Sequence, residues 1–204
     1  MTTILQEAAA GRATIVPWTV ERYHRAIETG SVPEDTSVEL IDGFLVHKDR
    51  AKAGEDPMTI GDRHRIAVLR LAQSAPAFER LGCFLQTQQP ISLPPANEPE
   101  PDGAAIRGSI DDYLDHPPGA ADVSCVIEVA DSSLSLDVGP KLAAYAAARI
   151  PQYVVVDLVN HRVLVHEEPA GSSYERVTPF VSGETLQISA GSGQVPIAAD
   201  RLLP

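Results

Sequence analysis

Two apolar stretches decide the fold: Val123–Ala130, with the sequence VSCVIEVA, and Gln152–Leu158, with the sequence QYVVVDL. Apolar runs without strict alternation are typical of strands that are buried on both faces of a sheet. A helix is predicted between them, over about 140–149, because Pro140 is tolerated in the first turn of a helix. This order of strand, helix and strand predicts a parallel pair joined by a right-handed crossover.

A hairpin is the second strong local signal. Val38–Ile41 and Phe44–His47 are short β-like runs on either side of Asp42-Gly43. These two residue types tolerate the positive φ angles that a two-residue hairpin turn requires. The sequence therefore predicts an antiparallel pair over residues 38–47.

The remaining elements follow from weaker signals. Thr19 is a candidate N-cap for a helix over about 19–29, and a helix over about 58–81 is expected to be kinked or split at Pro76. Residues 1–16 are expected to form a loose arm, and the proline-rich segment 94–101 is expected to be irregular. Together the elements predict a single α/β domain over residues 1–204, with a central mixed sheet flanked by helices. The other predicted strands cover 83–93, 103–107, 162–166, 174–180 and 184–188.

The charge distribution is uneven. The chain has 28 acids and 16 bases, for a formal net charge of −12, which disfavours a polyanionic partner. Seven bases and five acids lie between His47 and Arg80, whereas ten acids and one base lie between Asn97 and Asp137. We interpret the basic run as a solvated face, with a DNA-binding track as the alternative. Carboxylates gathered in the acidic block can bind a divalent cation.

The compartment is predicted from what the composition excludes. No run of about 18 apolar residues is present, so no membrane span is expected. The first twenty residues lack a basic region followed by an apolar one, which is the pattern of a secretory signal. Two cysteines, Cys83 and Cys125, do not form a disulfide framework. These observations favour a cytoplasmic protein.

Three charged residues near the ends of predicted elements suggest a chemical site. Glu128 lies in an otherwise apolar strand, where a carboxylate is costly unless it is exposed, paired or bound to a cation. Asp102 precedes another short strand, and Lys141 lies in the first turn of the next helix, where the helix dipole disfavours a cation. Two acids and a lysine suit a magnesium-dependent phosphodiesterase, in which the acids hold the metal and the lysine stabilises developing charge.

The chain resembles a known family over residues 36–160. The family comprises uncharacterised bacterial proteins, abundant in cyanobacteria, that are described as putative restriction endonucleases and have the PD-(D/E)XK nuclease fold. The order and spacing of several short motifs carry the resemblance. These are Glu39–Gly43, His64, Pro101-Asp102, Ile127–Leu134, Asp137, Lys141, Tyr145 and Ile150–Asp157.

The resemblance implies a function and a site. The fold would be restriction-endonuclease-like, and the activity would be Mg²⁺-dependent hydrolysis of DNA phosphodiester bonds, with Mn²⁺ as a substitute metal. Asp102 and Glu128 match the two metal-binding acids, and the carbonyl of Val129 would assist them. Glu39 matches an acid that lies near the metal, and Lys141 matches the family's lysine, moved onto a helix. The superfamily usually has its lysine two residues after the second acid, where this chain has Ala130.

Other interpretations of the same residues stay open. Glu39 can instead lie on an exposed hairpin face, and Lys141 can be a solvated helix residue. His64 can contact phosphate or position Glu39, or it can be a packed helix residue without a role in the site. Asp137 is expected to cap the helix near Pro140, and Tyr145 is expected to be a core residue.

Two alternative functions follow from the same features. The chain can be a catalytically inactive interaction module with a nuclease fold, which Ala130 and the net charge favour. It can also be a metal-dependent hydrolase of small phosphate esters. A homodimer formed through the tail strands, 174–203, is a further hypothesis. The sequence does not specify the DNA sequence or structure recognised.

Overall fold

The computed structural model describes residues 3–33, 37–48 and 61–204. Helices and strands alternate irregularly along the chain. The helices are α1 (Ile4–Ala9), α2 (Val20–Glu28), α3 (Asp62–Ala72), α4 (Ala75–Glu79), α5 (Leu134–Leu136), α6 (Leu142–Ala147) and α7 (Ala199–Leu202). A π-helical turn, Asp137–Lys141, joins α5 to α6. The strands are β1 (Val38–Ile41), β2 (Phe44–His47), β3 (Cys83–Gln86), β4 (Gly103–Arg107), β5 (Val123–Ala130), β6 (Gln152–Asp157), β7 (Arg162–Ala170), β8 (Ser173–Phe180), β9 (Thr185–Ala190) and β10 (Gly193–Ala198).

A six-stranded mixed sheet forms the centre of the fold, with the strand order β3-β4-β5-β6-β7-β8. Strands β5 and β6 are parallel neighbours, and every other neighbouring pair in this sheet is antiparallel. All residues of β5 and β6 are buried, as their apolar sequences predict. The predicted α/β class with a mixed sheet flanked by helices is confirmed.

The two faces of the sheet bury separate apolar clusters. Because side chains alternate along a strand, Ile127 and Val129 face a cluster that also contains residues of α3 and α7 and of the β9–β10 hairpin. Val126 and Ala130 face the opposite cluster, which contains Tyr145 of α6. Glu128 lies between Val126 and Ala130 on this second side. The sheet therefore places a carboxylate under α6.

The β1–β2 hairpin forms at the predicted Asp42-Gly43 turn. Both residues have positive φ angles, 49° and 75°, as such a turn requires. The turn packs closely, since a Cβ atom at Gly43 would clash with the Cβ of Pro17. The N–H of Gly43 donates to the carbonyl of Ala96, which attaches the hairpin to the proline-rich segment.

One prediction for the N-terminal half of the chain is wrong, and the expected split of a long helix is confirmed. A loose arm over residues 1–16 is wrong for Ile4–Ala9, which form α1 behind a capping box between Thr3 and Gln6. The helix predicted over 58–81 is split into α3 and α4, and its residues 58–60 lie outside the described part of the chain. Pro76 causes the split, because in a continuous helix its ring would clash with the carbonyl of the residue four positions earlier.

The helix predicted to begin at Pro140 begins earlier, at α5. Pro140 lies inside the π-helical turn, where the widened backbone accommodates a residue without an N–H donor. Asp137 is therefore part of the helical segment and does not cap it. Its Oδ2 accepts a 2.6 Å hydrogen bond from Ser133 Oγ.

The strand predictions are correct near their centres and wrong at several ends. The strand predicted over 83–93 ends at Gln86, and Gln88 then has a φ angle of 51°, which takes the chain out of the sheet. Strand β10 lies beyond the strands predicted from the sequence, and its Pro196 is unusual in a strand interior. It is accommodated in a two-stranded hairpin, where Pro196 pairs with Gln187 of β9.

Candidate active site

Glu128 is the central residue of the candidate site. Its side chain is completely buried, and its Oε1 accepts hydrogen bonds from Lys141 Nζ at 3.0 Å and from Tyr145 Oη at 2.8 Å. Its Oε2 has no hydrogen-bond partner among the residues that the structure describes. A buried carboxylate oxygen without a donor is costly, so this atom is suited to a ligand.

Asp102 is brought beside Glu128 by the pairing of β4 with β5. Gly103 pairs with Ile127, so the residue before β4 lies opposite Glu128. Asp102 Oδ2 accepts a 2.8 Å hydrogen bond from the backbone N–H of Val129. His64 Nε2, on the buried face of α3, lies 3.0 Å from the same oxygen. These contacts fix the Asp102 carboxylate at the end of the sheet where Glu128 lies.

Glu39 reaches the site from the β1–β2 hairpin. Strand β1 is buried throughout, and Leu40 exchanges backbone hydrogen bonds of 3.3 and 2.7 Å with Glu98. This contact places Glu39 Oε2 3.0 Å from Lys141 Nζ and 3.1 Å from the N–H of Glu100. Glu39 is therefore buried in the site, and the alternative of an exposed hairpin face is wrong.

Lys141 occupies the end of the π-helical turn and contacts two carboxylates. It is 2% exposed, so the interpretation as a solvated lysine is wrong. Burial alone would lower its pKa, but the charges of Glu128, Glu39 and Asp137 together raise that pKa above its usual range. The amine is thus a permanent ammonium. Lys141 reaches Glu128 from the helical segment, on the side of the sheet that also carries Ala130. Ala130 stands where the superfamily usually has its lysine.

The electrostatics of the site favour a further cation. Burial raises the pKa of Glu128 to about 8, although the charge of Lys141 opposes this. The carboxylates of Asp137, Asp102 and Glu39 add to the increase. Several acids therefore surround one ammonium in a poorly solvated place, and either protons or a divalent cation can balance the excess negative charge.

The donor set fits Mg²⁺ with water completing the coordination. Mg²⁺ in proteins is commonly held by one or two carboxylates and retains several water ligands. Asp102 and Glu128 are adjacent, and Glu128 Oε2 is unoccupied by any donor in the described ranges. No three His, Cys, Asp or Glu side chains come together as a metal-binding group within residues 3–33, 37–48 and 61–204. The fit therefore depends on two carboxylates and on water.

All the side chains predicted for the site contact at least one other predicted member. Asp102 and His64 contact each other, and Lys141 contacts Glu128 and Glu39. Sequence reasoning missed the role of Tyr145, which is indeed in the core but also donates to Glu128. Its position four residues after Lys141 on a helix was the available signal, because residues at this spacing share a face.

The mixed sheet flanked by helices is an α/β fold. The sequence matches the Uma2 family, described as "Putative restriction endonuclease", over residues 20–198. The chain therefore belongs to this family, as its motifs predict, and the family supports a nuclease.

Structural comparison gives the same fold. A crystal structure of a putative nuclease from Anabaena variabilis matches with a TM-score of 0.60 and 13% sequence identity. The match covers 91% of this chain and 97% of the other. A comparison with curated proteins found no match.

None of the helices within residues 3–33, 37–48 and 61–204 combines the length and the apolar character needed to cross a bilayer.

Proposed function

We propose that the protein is a Mg²⁺-dependent endonuclease that hydrolyses DNA phosphodiester bonds. The observation that carries this proposal is the buried contact of Lys141 with Glu128 and Glu39, beside Asp102. Phosphodiester hydrolysis needs a cation-binding pair of acids and a positive charge near the reacting phosphate. Membership of the nuclease family supports the same reaction class.

The proposed metal ligands are Asp102 and Glu128, with the carbonyl of Val129 as a third protein ligand. A bound divalent cation would polarise the phosphate and lower the pKa of the attacking water. His64 and the N–H of Val129 hold Asp102 in one orientation. His64 Nε2 is already engaged with Asp102 Oδ2, so the proposed role of His64 is to position Asp102 and not to bind phosphate directly.

Lys141 supplies a fixed positive charge and a hydrogen-bond donor. An ammonium has three N–H bonds, and two of them are directed to Glu128 and Glu39. The third remains to donate to a phosphate oxygen or to hold the attacking water. Tyr145 donates to Glu128 Oε1, and burial and the nearby Glu128 charge raise its pKa well above the usual value. It therefore keeps its proton and helps direct Oε2 toward the ligand.

A cleavage assay tests the proposal. Supercoiled plasmid and short duplexes are incubated with the protein and Mg²⁺, and nicked and linear products are quantified. Asp102→Asn and Glu128→Gln should each abolish cleavage while the thermal unfolding transition is retained. Asp111→Asn removes an exposed acid of the 3-10 turn Ile110–Tyr113 and serves as the charge-matched control. Full cleavage by the Glu128→Gln protein would overturn this site. Turnover of a small phosphodiester without action on DNA would overturn the proposed substrate.

One observation favours a second candidate, a non-catalytic interaction module with a nuclease fold. Lys141 already pairs with two of the site carboxylates, and the described residues contain no three-ligand metal group. An ammonium in that position can replace a metal structurally. The absence of any Mn²⁺ binding by the protein, alone and with duplex DNA, would select this candidate.

Two further expectations complete the proposal. We place the protein in the reducing cytoplasm, because Cys83 and Cys125 are free buried thiols. We also propose a homodimer, since β8 is an edge strand of the sheet with Val177 half exposed. Light scattering at micromolar concentration should give twice the chain mass of 21.8 kDa, and a monomer mass would contradict the dimer.

A further inference from the structure

An arginine-rich surface lies on the side of α3 and α7. We name it the basic flank and define it by Arg63, Arg70, Arg80, Arg201 and His161. Residues 61–81 and 199–203 contain five bases and three acids, whereas the rest of the chain contains 11 bases and 25 acids. The flank is thus a local exception in a chain with a net charge of −12.

Among the described residues, the arginines of the flank have no carboxylate partner in a salt bridge. Arg63 donates to the carbonyl of Leu158 at 3.1 Å, Arg70 to the carbonyl of Asp200 at 3.3 Å, and Arg201 to Gln73 Oε1 at 3.3 Å. Across the described residues, no salt bridge joins an acid to any of the four flank arginines. The salt-bridged arginines are Arg12, Arg25, Arg65, Arg162 and Arg176. The flank charges therefore remain available to an external anion.

Two of the three acids in these segments are engaged elsewhere. The Asp200 carboxylate accepts hydrogen bonds from Ser182 and from the N–H of Gly183, at the turn before β9. Asp62 pairs with Arg65, which lies on the other side of α3. Glu79, on α4, is exposed and is the remaining acid of these segments. The balance of charge on the flank is therefore positive.

The flank begins beside the candidate active site. Arg63 precedes His64, which contacts Asp102, and Arg63 itself contacts Leu158. The N–H of Leu158 donates to the carbonyl of Ala130, two residues after Glu128. Arg70 lies seven residues after Arg63 on α3, which is about two turns or about 10 Å, so the two arginines are on the same side of the helix. Further along, Arg80 and Arg201 line a cavity of about 340 Å³.

We propose that the basic flank binds the phosphate backbone of duplex DNA and directs the duplex toward the candidate site. This inference rests on the proposed nuclease function and adds the surface that the substrate occupies. Unpaired arginines bind phosphate through charge-assisted hydrogen bonds. The separation of Arg63 and Arg70 matches about three base pairs of B-DNA, given a rise of about 3.4 Å per base pair. Gln73 and Ser74, which also line the cavity, supply neutral donors.

Fluorescence anisotropy with a labelled duplex of about 20 bp tests the flank. EDTA is present to prevent cleavage, and binding is measured over a range of salt concentrations. The double variant Arg70→Ala/Arg201→Ala should weaken binding about tenfold for each arginine removed. The slope of log K against log salt should fall in magnitude by about 1.8, since each phosphate contact contributes about 0.9. An unchanged affinity and slope would overturn the proposal.

Three controls make the result specific. Arg25→Ala/Arg176→Ala removes two salt-bridged arginines elsewhere on the surface and should leave the affinity within about twofold. Arg70→Lys/Arg201→Lys retains both charges and should retain the salt slope. Poly-L-glutamate is the competing probe. If it binds the flank and the duplex does not, the partner is an acidic protein and the DNA proposal is wrong.

Cleavage measured in parallel separates the flank from the active site. If the wild-type protein cleaves DNA but the flank variant binds normally, the flank is wrong and the nuclease function stands. If the flank variant loses duplex binding while Glu128→Gln still cleaves, the flank stands and the proposed catalytic site fails.

Discussion

Replacement of Lys141 by methionine removes the ammonium that contacts Glu128 and Glu39 but preserves an unbranched stem of similar size. Glu128 is completely buried and Glu39 is 3% exposed, so neither carboxylate can turn to water without opening the site. Removing one partner from a buried ionic group costs about 3–5 kcal/mol, because the remaining charge is left uncompensated. We expect the free energy of unfolding to fall by this amount in EDTA at pH 9, above the pKa of about 8 that Glu128 has beside Lys141.

Urea denaturation measures this loss directly. Arg176→Met is the matched control, since Arg176 is 54% exposed and pairs with Glu167 and Glu168 at the surface. Such pairs contribute about 0–1 kcal/mol, so the control should be nearly as stable as the wild type. Equal losses in the two variants would refute the argument that Lys141 neutralises buried carboxylates.

Mn²⁺ adds a second readout to the same experiment. A cation bound by Asp102 and Glu128 would supply the positive charge that the Lys141→Met variant lacks. A ligand at 100 times its Kd stabilises the native state by about 2.7 kcal/mol. Mn²⁺ should therefore increase the free energy of unfolding of the variant more than it increases that of the wild type. No stabilisation of the variant by Mn²⁺ would contradict the proposed metal position.

Three further substitutions test separate parts of the structure. Asp157→Asn should cost about 1–3 kcal/mol, because Asp157 accepts hydrogen bonds from Asn160 and Arg162. Burial opposes ionisation of Asp157, but these hydrogen bonds outweigh it and lower the pKa. The stabilisation by the carboxylate is therefore present above its usual pKa of about 4 and is lost as the pH falls. In urea titrations, the difference in stability between the wild type and Asp157→Asn should be smaller at pH 3 than at pH 7. Gly43→Ala should cost about 1–3 kcal/mol, because the new side chain would strain the positive-φ backbone and would contact Pro17. Gly30→Ala, where φ is 69° and the space around the residue is open, should cost less. Equal thermal shifts in the two variants would contradict the close packing at the turn. Tyr145→Phe should cost about 1–3 kcal/mol by removing a donor to buried Glu128 and should weaken Mn²⁺ binding, and a neutral effect on both would remove Tyr145 from the site.

The parts of the fold with strong local signals could be predicted from the sequence. The hairpin follows from two adjacent residues, Asp42 and Gly43, whose backbone preferences decide the turn. The pair β5–β6 follows from apolar runs long enough to be buried on both faces. Such signals depend on a few neighbouring residues, and tertiary contacts did not override them.

The elements that were missed depend on tertiary contacts or on local exceptions. Pro196 argues against a strand, yet β10 forms because its hairpin partner lies in a two-stranded unit. Pro140 suggests a helix start, yet a π-helical turn accommodates it within a longer helical segment. In both places a proline rule describes average behaviour, and the neighbouring backbone admits the exception.

The candidate site was predicted as a set of residues but not as a network. Asp102 and Glu128 could be named from their positions near the ends of predicted strands, and Glu39 from its match to a family motif. Their partners could not, since the contact of Glu39 with Lys141 depends on how the hairpin packs against the segment before β4. The distance from Lys141 to Glu128 likewise depends on the π-helical turn, which no sequence signal indicated.

Calorimetric titration with Mn²⁺ tests the central claim most directly. Mn²⁺ suits a carboxylate and water site and commonly replaces Mg²⁺. The wild type should bind Mn²⁺, and Asp102→Asn/Glu128→Gln should not. Asp111→Asn/Asp115→Asn, which removes the same charge from two exposed acids outside the site, should bind as the wild type does. Retained binding by the Asp102→Asn/Glu128→Gln protein, or its absence from the wild type both alone and with duplex DNA, would contradict the proposed metal site.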